Sequence, residues 1–168
     1  MPKFKLKYIV LSLCAMLSIC YSVQAYEWTG WTSEEYEPRV CDFDKFQSGF
    51  KCSGSYCDSV ALECHDPGID HYTNRRWIAR ISEEGGGLRY CPWGEFISGV
   101  STSGKYSDNI SLECADAAGV NWNACYWTSW VSEEGSGTLL FPAGYSGVGM
   151  QCNGSYCDNK RFYICRTH

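Results

Sequence analysis

Three short segments of the 168-residue chain place a tyrosine two residues before an aspartate and two residues after a glycine. In such a loop the tyrosine ring can stack on the C–H face of a sugar, and the carboxylate can accept hydrogen bonds from two hydroxyls. The alternative is structural, with the ring packed under the loop and the carboxylate bonded to turn amides. Lys105 and Ser107 make the middle copy the weakest match, which favours two active sites over three. The candidate ligand-binding residues are Tyr56 and Asp58, Tyr106 and Asp108, and Tyr156 and Asp158.

A Ser-Glu-Glu triplet also occurs three times. Adjacent residues on a strand point to opposite faces, so at most one glutamate of each pair faces a given site. Such a carboxylate can accept hydrogen bonds from sugar hydroxyls or contribute to a calcium site, and calcium is the one cofactor that this pattern leaves open. The alternative is a solvated turn whose acids provide solubility. The candidate glutamates are Glu34, Glu83 and Glu133.

These segments belong to a threefold internal repeat. Equivalent glycines recur at Gly49, Gly99 and Gly149, and the units run over 26–73, 74–123 and 124–168 of a single domain. Short segments that alternate apolar and polar residues, separated by Gly- and Ser-rich turns, predict about four strands in each unit. The sequence therefore predicts an all-β fold. Its architecture is a pseudo-threefold β-prism of three Greek-key-like sheets or, as the alternative, a β-trefoil.

The cysteines indicate a disulfide-stapled protein, because twelve in a chain of this size are typical of an oxidising compartment. Cys52 and Cys57 recur in the third unit, whereas the middle unit has lost both together. A joint loss is what a bonded pair predicts, since one unpaired partner is a reactive thiol. Phe141 replaces the first cysteine of the third unit, so Cys165 takes the remaining Cys125. The predicted disulfides are Cys41–Cys64, Cys52–Cys57, Cys91–Cys114, Cys125–Cys165 and Cys152–Cys157.

Residues 1–25 have the pattern of a secretory signal peptide, with three lysines, an apolar run and small residues at the end. The run is too short to span a membrane. Without it, 11 basic and 19 acidic residues remain, a net charge of −8. This acidity argues against a nucleic-acid partner. We expect a protein that is secreted and extracellular, or periplasmic in a bacterium, and that has no membrane span. The sequence predicts no particular oligomeric state.

Tryptophans near the start of each unit, Trp31, Trp77 and Trp127 or Trp130, are expected in the core around the axis. A binding face is the alternative for these residues.

The middle unit runs through Trp77, Cys91-Pro92-Trp93-Gly94, Ile97-Ser98-Gly99-Val100 and 108–114. This pattern resembles the repeat of vitelline membrane outer layer proteins and that of dermatopontin-type extracellular proteins, over nearly all of the mature chain. The first resemblance implies a β-prism of three Greek-key sheets, secretion, and association with an extracellular matrix or glycans. The Ser-Glu-Glu triplet and the Gly-Ser-Tyr-Cys-Asp loop depart from that family's pattern.

These observations favour a secreted, multivalent, lectin-like module that binds glycans. One alternative is an adhesive or toxin-associated module that binds an extracellular surface protein. The other is a glycan-active enzyme, which needs only two carboxylates beside a cleft. We expect no enzyme, because the chain has no Gly-x-Ser-x-Gly, His-Glu-x-x-His or phosphate-loop motif and its ten mature cysteines can all pair.

Overall fold

The computed structural model describes residues 26–68 and 74–167, so the predicted signal peptide and part of the first joint lie outside the described residues. Within these ranges no helix is long and apolar enough to cross a membrane. Three one-turn 3₁₀ helices cover Ser55–Cys57, Lys105–Ser107 and Ser155–Cys157. The strands are β1 (Glu27–Trp28), β2 (Arg39–Val40), β3 (Phe46–Ser53), β4 (Ser59–His65), β5 (Arg75–Trp77), β6 (Leu88–Tyr90), β7 (Glu95–Ser103), β8 (Asn109–Asp116), β9 (Asn123–Trp127), β10 (Thr138–Leu140), β11 (Tyr145–Asn153) and β12 (Asn159–Arg166).

Each repeat is built around one long antiparallel hairpin: β3–β4, β7–β8 or β11–β12. The register shifts at the same place in all three hairpins, between residues 47 and 49, 97 and 99, and 147 and 149. An extra residue there bends the strand and increases its twist. The first strand of each repeat then pairs with the last one, as β1 does with β4. The repeated sequence thus produces a repeated local structure.

The second strand of each repeat leaves its own unit and joins the sheet of another. Sheet 1 has the order β1-β4-β3-β10, sheet 2 the order β5-β8-β7-β2, and sheet 3 the order β9-β12-β11-β6. Repeat 1 therefore completes sheet 2, repeat 2 completes sheet 3, and repeat 3 completes sheet 1. Each sheet keeps a Greek-key order, but a neighbouring repeat supplies one strand. The exchange closes a ring and ties the three repeats into one unit.

The predicted fold class is confirmed: the chain forms three four-stranded antiparallel sheets with pseudo-threefold symmetry. Three separate sheets around an axis are the arrangement of the β-prism rather than the β-trefoil.

The core lies between the inner faces of the three sheets, where β3, β7 and β11 contact one another. Phe50, Val100 and Met150 occupy equivalent positions and are each at most 1% exposed. Phe50 packs on Phe162 of the neighbouring sheet, with ring centroids 4.9 Å apart. Burial of each such side chain contributes about 1.5–3 kcal/mol. One unit has only one such face, so three units must pack together to bury it.

The five disulfides of the structure join the same pairs that the sequence analysis predicts: Cys41–Cys64, Cys52–Cys57, Cys91–Cys114, Cys125–Cys165 and Cys152–Cys157. In the third repeat Phe141 fills the position of the missing cysteine and packs on Phe162 at 5.8 Å. In the middle repeat Thr102 and Ser107 are both buried where the other repeats have a disulfide. These apolar and hydroxyl side chains fill the space that the sulfur atoms occupy elsewhere.

Candidate functional site

The three Tyr–Asp loops meet at the pseudo-threefold axis. Tyr56, Tyr106 and Tyr156 form one cluster, with ring centroids 5.0–5.2 Å apart. Each tyrosine has a left-handed backbone, with φ of 61°, 55° and 57°, and so does the residue that follows it. Two consecutive non-glycine residues in this region cost about 1–3 kcal/mol each. Packing of the three turns against one another offsets that cost.

The convergence changes what these tyrosines can offer to a ligand. Part of the surface of each ring is covered by the other two rings. The Lys105 ammonium group also lies 5.1 Å from the Tyr106 ring and 5.6 Å from the Tyr156 ring. Tyr56 is the most open of the three, with 37% of its surface exposed. The loops therefore form a single axial cluster rather than three separated sites.

The Ser-Glu-Glu turns fasten neighbouring loops to each other. Glu133 Oε1 of the third repeat accepts a hydrogen bond from the Tyr56 backbone N–H of the first repeat, at 2.7 Å. The Glu34 backbone N–H donates to Ser107 Oγ of the second repeat at 3.2 Å, and this hydroxyl donates to the Asp58 carbonyl oxygen at 2.6 Å. Glu83, in the remaining repeat, is exposed. The contacts of Glu34 and Glu133 thus link repeats around the axis.

The aspartates end the three 3₁₀ turns, at Asp58, Asp108 and Asp158. The preceding glycines have the positive φ that the loop pattern predicts, between 77° and 80°. Asp108 accepts a hydrogen bond from the Asn109 side-chain amide. In the third repeat, burial and the neighbouring Glu133 raise the pKa of Asp158 to about 6. These carboxylates are therefore engaged with their surroundings to different degrees.

A buried lysine distinguishes the third repeat from the other two. Lys160 is fully buried at the position that Val60 and Ile110 occupy in the other repeats. Its Nζ donates a hydrogen bond to the Cys157 carbonyl oxygen at 2.6 Å. Burial lowers its pKa to about 8, although the nearby Asp158 and other carboxylates act in the opposite direction.

The carboxylates of Glu133 and Asp158 lie within 4.8 Å of each other and of Cys57 Sγ. Cys57 is disulfide-bonded and has no thiolate to offer a metal. The two carboxylates fall short of the six to eight oxygen ligands that calcium takes. This cluster therefore fits a proton-sharing carboxylate pair better than a calcium site.

The expectation that the tryptophans near the start of each unit lie in the core is wrong for all four residues named. Trp31, Trp77 and Trp130 are 41%, 43% and 39% exposed, and Trp127 is half-buried. They lie in or just beyond the first strand of each repeat, at a sheet edge. The volume near the axis is taken by residues of the central strands, so the indole rings cover the outer faces instead.

The outer face of sheet 3 carries a continuous row of aromatic rings. Tyr90, Trp127 and Tyr163 form a triangle with ring centroids 5.1–6.0 Å apart. The Arg161 guanidinium group extends the row, since it lies 4.7 Å from the Trp127 ring and 4.5 Å from the Trp130 ring. We call this set the sheet 3 platform; its members are Tyr90, Trp127, Trp130, Arg161 and Tyr163.

Gly149 lies beneath the aromatic rings of the sheet 3 platform. Gly149 pairs with both Tyr90 and Tyr163 in neighbouring strands. A Cβ atom at Gly149 would lie 2.5 Å from Cδ1 of Tyr90 and 3.0 Å from the Arg89 carbonyl oxygen. The absence of a side chain at this position therefore lets the Tyr90 ring lie against the strand.

Sheets 1 and 2 carry reduced versions of the same surface. On sheet 1, Lys51 Nζ lies 4.4 Å from the Trp28 ring and 4.8 Å from the Trp31 ring. On sheet 2, Trp77 is present, but Arg80 occupies the place of the second tryptophan. The pairing of a cation with two tryptophans thus occurs on two of the three sheets, and a different strand supplies the cation in each case.

Sheets 1 and 2 differ from sheet 3 in a second respect, because each has a buried glutamate at one outer position. Glu63 and Glu113 are 8% and 7% exposed and accept hydrogen bonds from Ser48 and Ser98, at 3.1 and 2.8 Å. Burial raises the pKa of Glu63. Register places Tyr163 at the equivalent position of sheet 3. Replacement of the carboxylate by a ring completes the aromatic row.

Sequence reasoning did not identify the platform, because its residues come from two repeats and three strands. The available signals were the Trp-x-x-Trp spacing of Trp28 and Trp31, its recurrence at Trp127 and Trp130, and the Tyr163 substitution. The contribution of Tyr90 depends on the strand exchange and has no local signature.

Comparisons of the chain with protein-family models, with curated proteins and with solved structures find no match.

Proposed function

We propose that this protein is a secreted carbohydrate-binding module whose main contact surface is the sheet 3 platform. The observation that carries the proposal is an open row of aromatic rings on a rigid sheet, beside two hydrogen-bonding side chains, Arg161 and Gln151. Tyr90 and Trp130 are 42% and 39% exposed, so a ligand can reach their rings.

The physical fit is to a flat ligand that has both C–H and hydroxyl groups. Exposed aromatic rings offer apolar area and a negative π face, which suit the C–H side of a sugar ring. An aromatic contact of this kind contributes about 0.5–1.5 kcal/mol. Three or four of them give weak to moderate affinity. The rings belong to strands within one disulfide-linked fold, so few side chains must be ordered on binding.

The Trp28–Trp31 pair with Lys51 on sheet 1 is a second and smaller contact surface of the same kind. Two sites on different faces of one rigid body cannot bind the same short oligosaccharide, but both can engage a glycan-covered surface. Their combined avidity exceeds the affinity of either site alone. The axial tyrosine cluster is a third candidate, for a ligand that approaches along the axis to Tyr56.

Secretion is part of the proposal. Five disulfides are typical of proteins from oxidising compartments. The resemblance of the repeat to vitelline membrane outer layer and dermatopontin-type proteins implies an extracellular matrix or glycan partner as well. We propose binding rather than catalysis, because Glu133 and Asp158 are hydrogen-bonded to each other instead of flanking a cleft.

A glycan array followed by calorimetric titration of the best ligand tests the proposal. Trp130→Ala should weaken binding by about two- to tenfold, since it removes one stacked ring. Trp77→Ala on sheet 2 is the matched control and should bind like the parent protein. Trp31→Ala and Tyr56→Ala report on the sheet 1 and axial candidates.

Two results would contradict the proposal. The first is an array without any bound glycan. The second is a bound glycan whose affinity is the same for the parent protein and for the Trp130→Ala, Trp31→Ala and Tyr56→Ala variants.

A further inference from the structure

We infer that the sheet 3 platform selects glycans that carry an isolated carboxylated sugar, such as a terminal uronic or nonulosonic acid. This inference rests on the proposed function, because it specifies the ligand class of the same surface. It comes from a comparison of the three sheets, which serve as internal controls for one another.

Charge is the property that separates the three outer faces. The cross-strand pair next to the tryptophans is Lys51–Ala61 on sheet 1, Ser101–Ser111 on sheet 2 and Gln151–Arg161 on sheet 3. The following outer position is a glutamate on the first two sheets and Tyr163 on the third. The formal charge at these positions is therefore 0, −1 and +1. On sheet 2, Arg75 pairs with Glu113 and Arg80 replaces the second tryptophan, so sheet 3 is the face where a cation lies over two indole rings and the following outer position is not a glutamate.

Arg161 is oriented but not neutralised. Its Nε and Nη2 donate hydrogen bonds to Gln151 Oε1, at 2.9 and 2.7 Å, and its plane lies over two indole rings. None of the ion pairs found among residues 26–68 and 74–167 includes Arg161. By contrast, Arg75 and Arg76 on sheet 2 pair with Glu113 and Glu95. In a chain with an excess of acids, a positioned guanidinium group without a carboxylate partner is ready for an anionic ligand.

The surrounding groups define which anion fits. Arg161 and the Gln151 amide nitrogen are hydrogen-bond donors, and an ionised carboxylate acts only as an acceptor. A guanidinium–carboxylate contact is charge-assisted and directional. The aromatic rings next to Arg161 require an apolar face beside the anion, which a sugar ring has and a free inorganic anion lacks. Without the predicted signal peptide the chain has a net charge of −8, which disfavours binding of a densely charged anionic polymer, so the ligand is a single acidic sugar in an otherwise neutral glycan.

The experiment uses an array on which each carboxylated glycan is printed beside its methyl ester. The pair has the same ring and hydroxyls but differs in charge. We expect the parent protein to bind the acid at least about tenfold more tightly than the ester, and the preference to weaken as salt is added. Arg161→Gln should bring acid and ester to similar affinity, whereas Arg80→Gln on sheet 2 should leave the preference unchanged.

A second pair of variants tests the missing glutamate. Tyr163→Glu restores the carboxylate of the other two sheets, and Tyr163→Gln removes the ring without adding charge. Both should weaken stacking, but only Tyr163→Glu should abolish the preference for the acid. A difference between these two variants is therefore a charge effect and not a loss of packing.

The outcomes separate this inference from the proposed function. If the protein binds glycans through the platform but treats acid and ester alike, or binds only neutral glycans, the inference is wrong and the proposed function stands. If neither form of any glycan binds, the proposed function itself is wrong and the inference falls with it.

Discussion

Replacement of Lys160 by isoleucine should reveal the cost of a buried charge in the third repeat. Lys160 is fully buried where the other repeats have Val60 and Ile110, so isoleucine fits the position. Loss of Nζ leaves the Cys157 carbonyl oxygen without its 2.6 Å hydrogen bond. That loss affects stability by the same amount at every pH, so the pH dependence isolates the lysine charge.

The magnitude follows from the pKa of Lys160, which burial lowers from 10.5 to about 8. A shift of this size corresponds to about 3 kcal/mol. The unfolded chain holds the lysine proton up to its ordinary pKa, whereas the native protein releases it near pH 8. Between these pH values the unfolded state binds more protons, so stability rises with pH by about 1.4 kcal/mol per unit.

Urea unfolding of the parent protein and the Lys160→Ile variant at several pH values is the assay. Between about pH 8 and pH 9.5 the parent protein should gain about 1.5 kcal/mol relative to the variant, because the native lysine is already half deprotonated at pH 8. Tyrosine ionisation in this range is common to both proteins and cancels in the difference. A free-energy difference that stays constant over this range would refute the reasoning, because it would mean that the lysine keeps its ordinary pKa in the fold.

Two further predictions can be tested by the same urea-unfolding measurements. Replacement of Cys91 and Cys114 by serine should lower the free energy of unfolding by about 1.4 kcal/mol more than replacement of Cys52 and Cys57. The reason is that the two disulfides close loops of 23 and 5 residues. Equal decreases in the denaturation midpoints of the two variants would contradict this loop-length argument. Burial and the neighbouring Glu133 raise the pKa of Asp158 from 3.8 to about 6, so ionisation is disfavoured in the native state. As pH rises from about 4 to 7, the parent protein should lose about 1–3 kcal/mol relative to Asp158→Asn, and parallel pH profiles would disprove it.

The sequence alone determined the repeat, the fold class and the disulfide pairs. Gly49, Gly99 and Gly149 mark a spacing that survives without any contact information, because a repeated sequence folds into a repeated local structure. The joint absence of cysteines at Thr102 and Ser107 indicated that the equivalent cysteines of the other two repeats are paired, since a disulfide is gained and lost as a pair. Such signals are local or periodic, and a single chain shows them directly.

The positions of the candidate binding groups depended on tertiary structure. The exchanged strands β2, β6 and β10 have two or three residues each, too few for an alternation pattern to specify a partner. Only their docking brings Tyr90 to Tyr163. The three loop tyrosines are far apart in sequence, and only closure of the prism brings their rings together.

The same limit explains why the tryptophans were expected inside. A strand has two faces, and an apolar residue such as Trp31 or Trp130 suits either one when its partners are unknown. Phe50, Met150 and Phe162 fill the space at the axis, so the indole rings are left on the outer face. Which apolar side chains lie in the core is decided by the volume available between the three sheets, and that volume exists only after they have packed together.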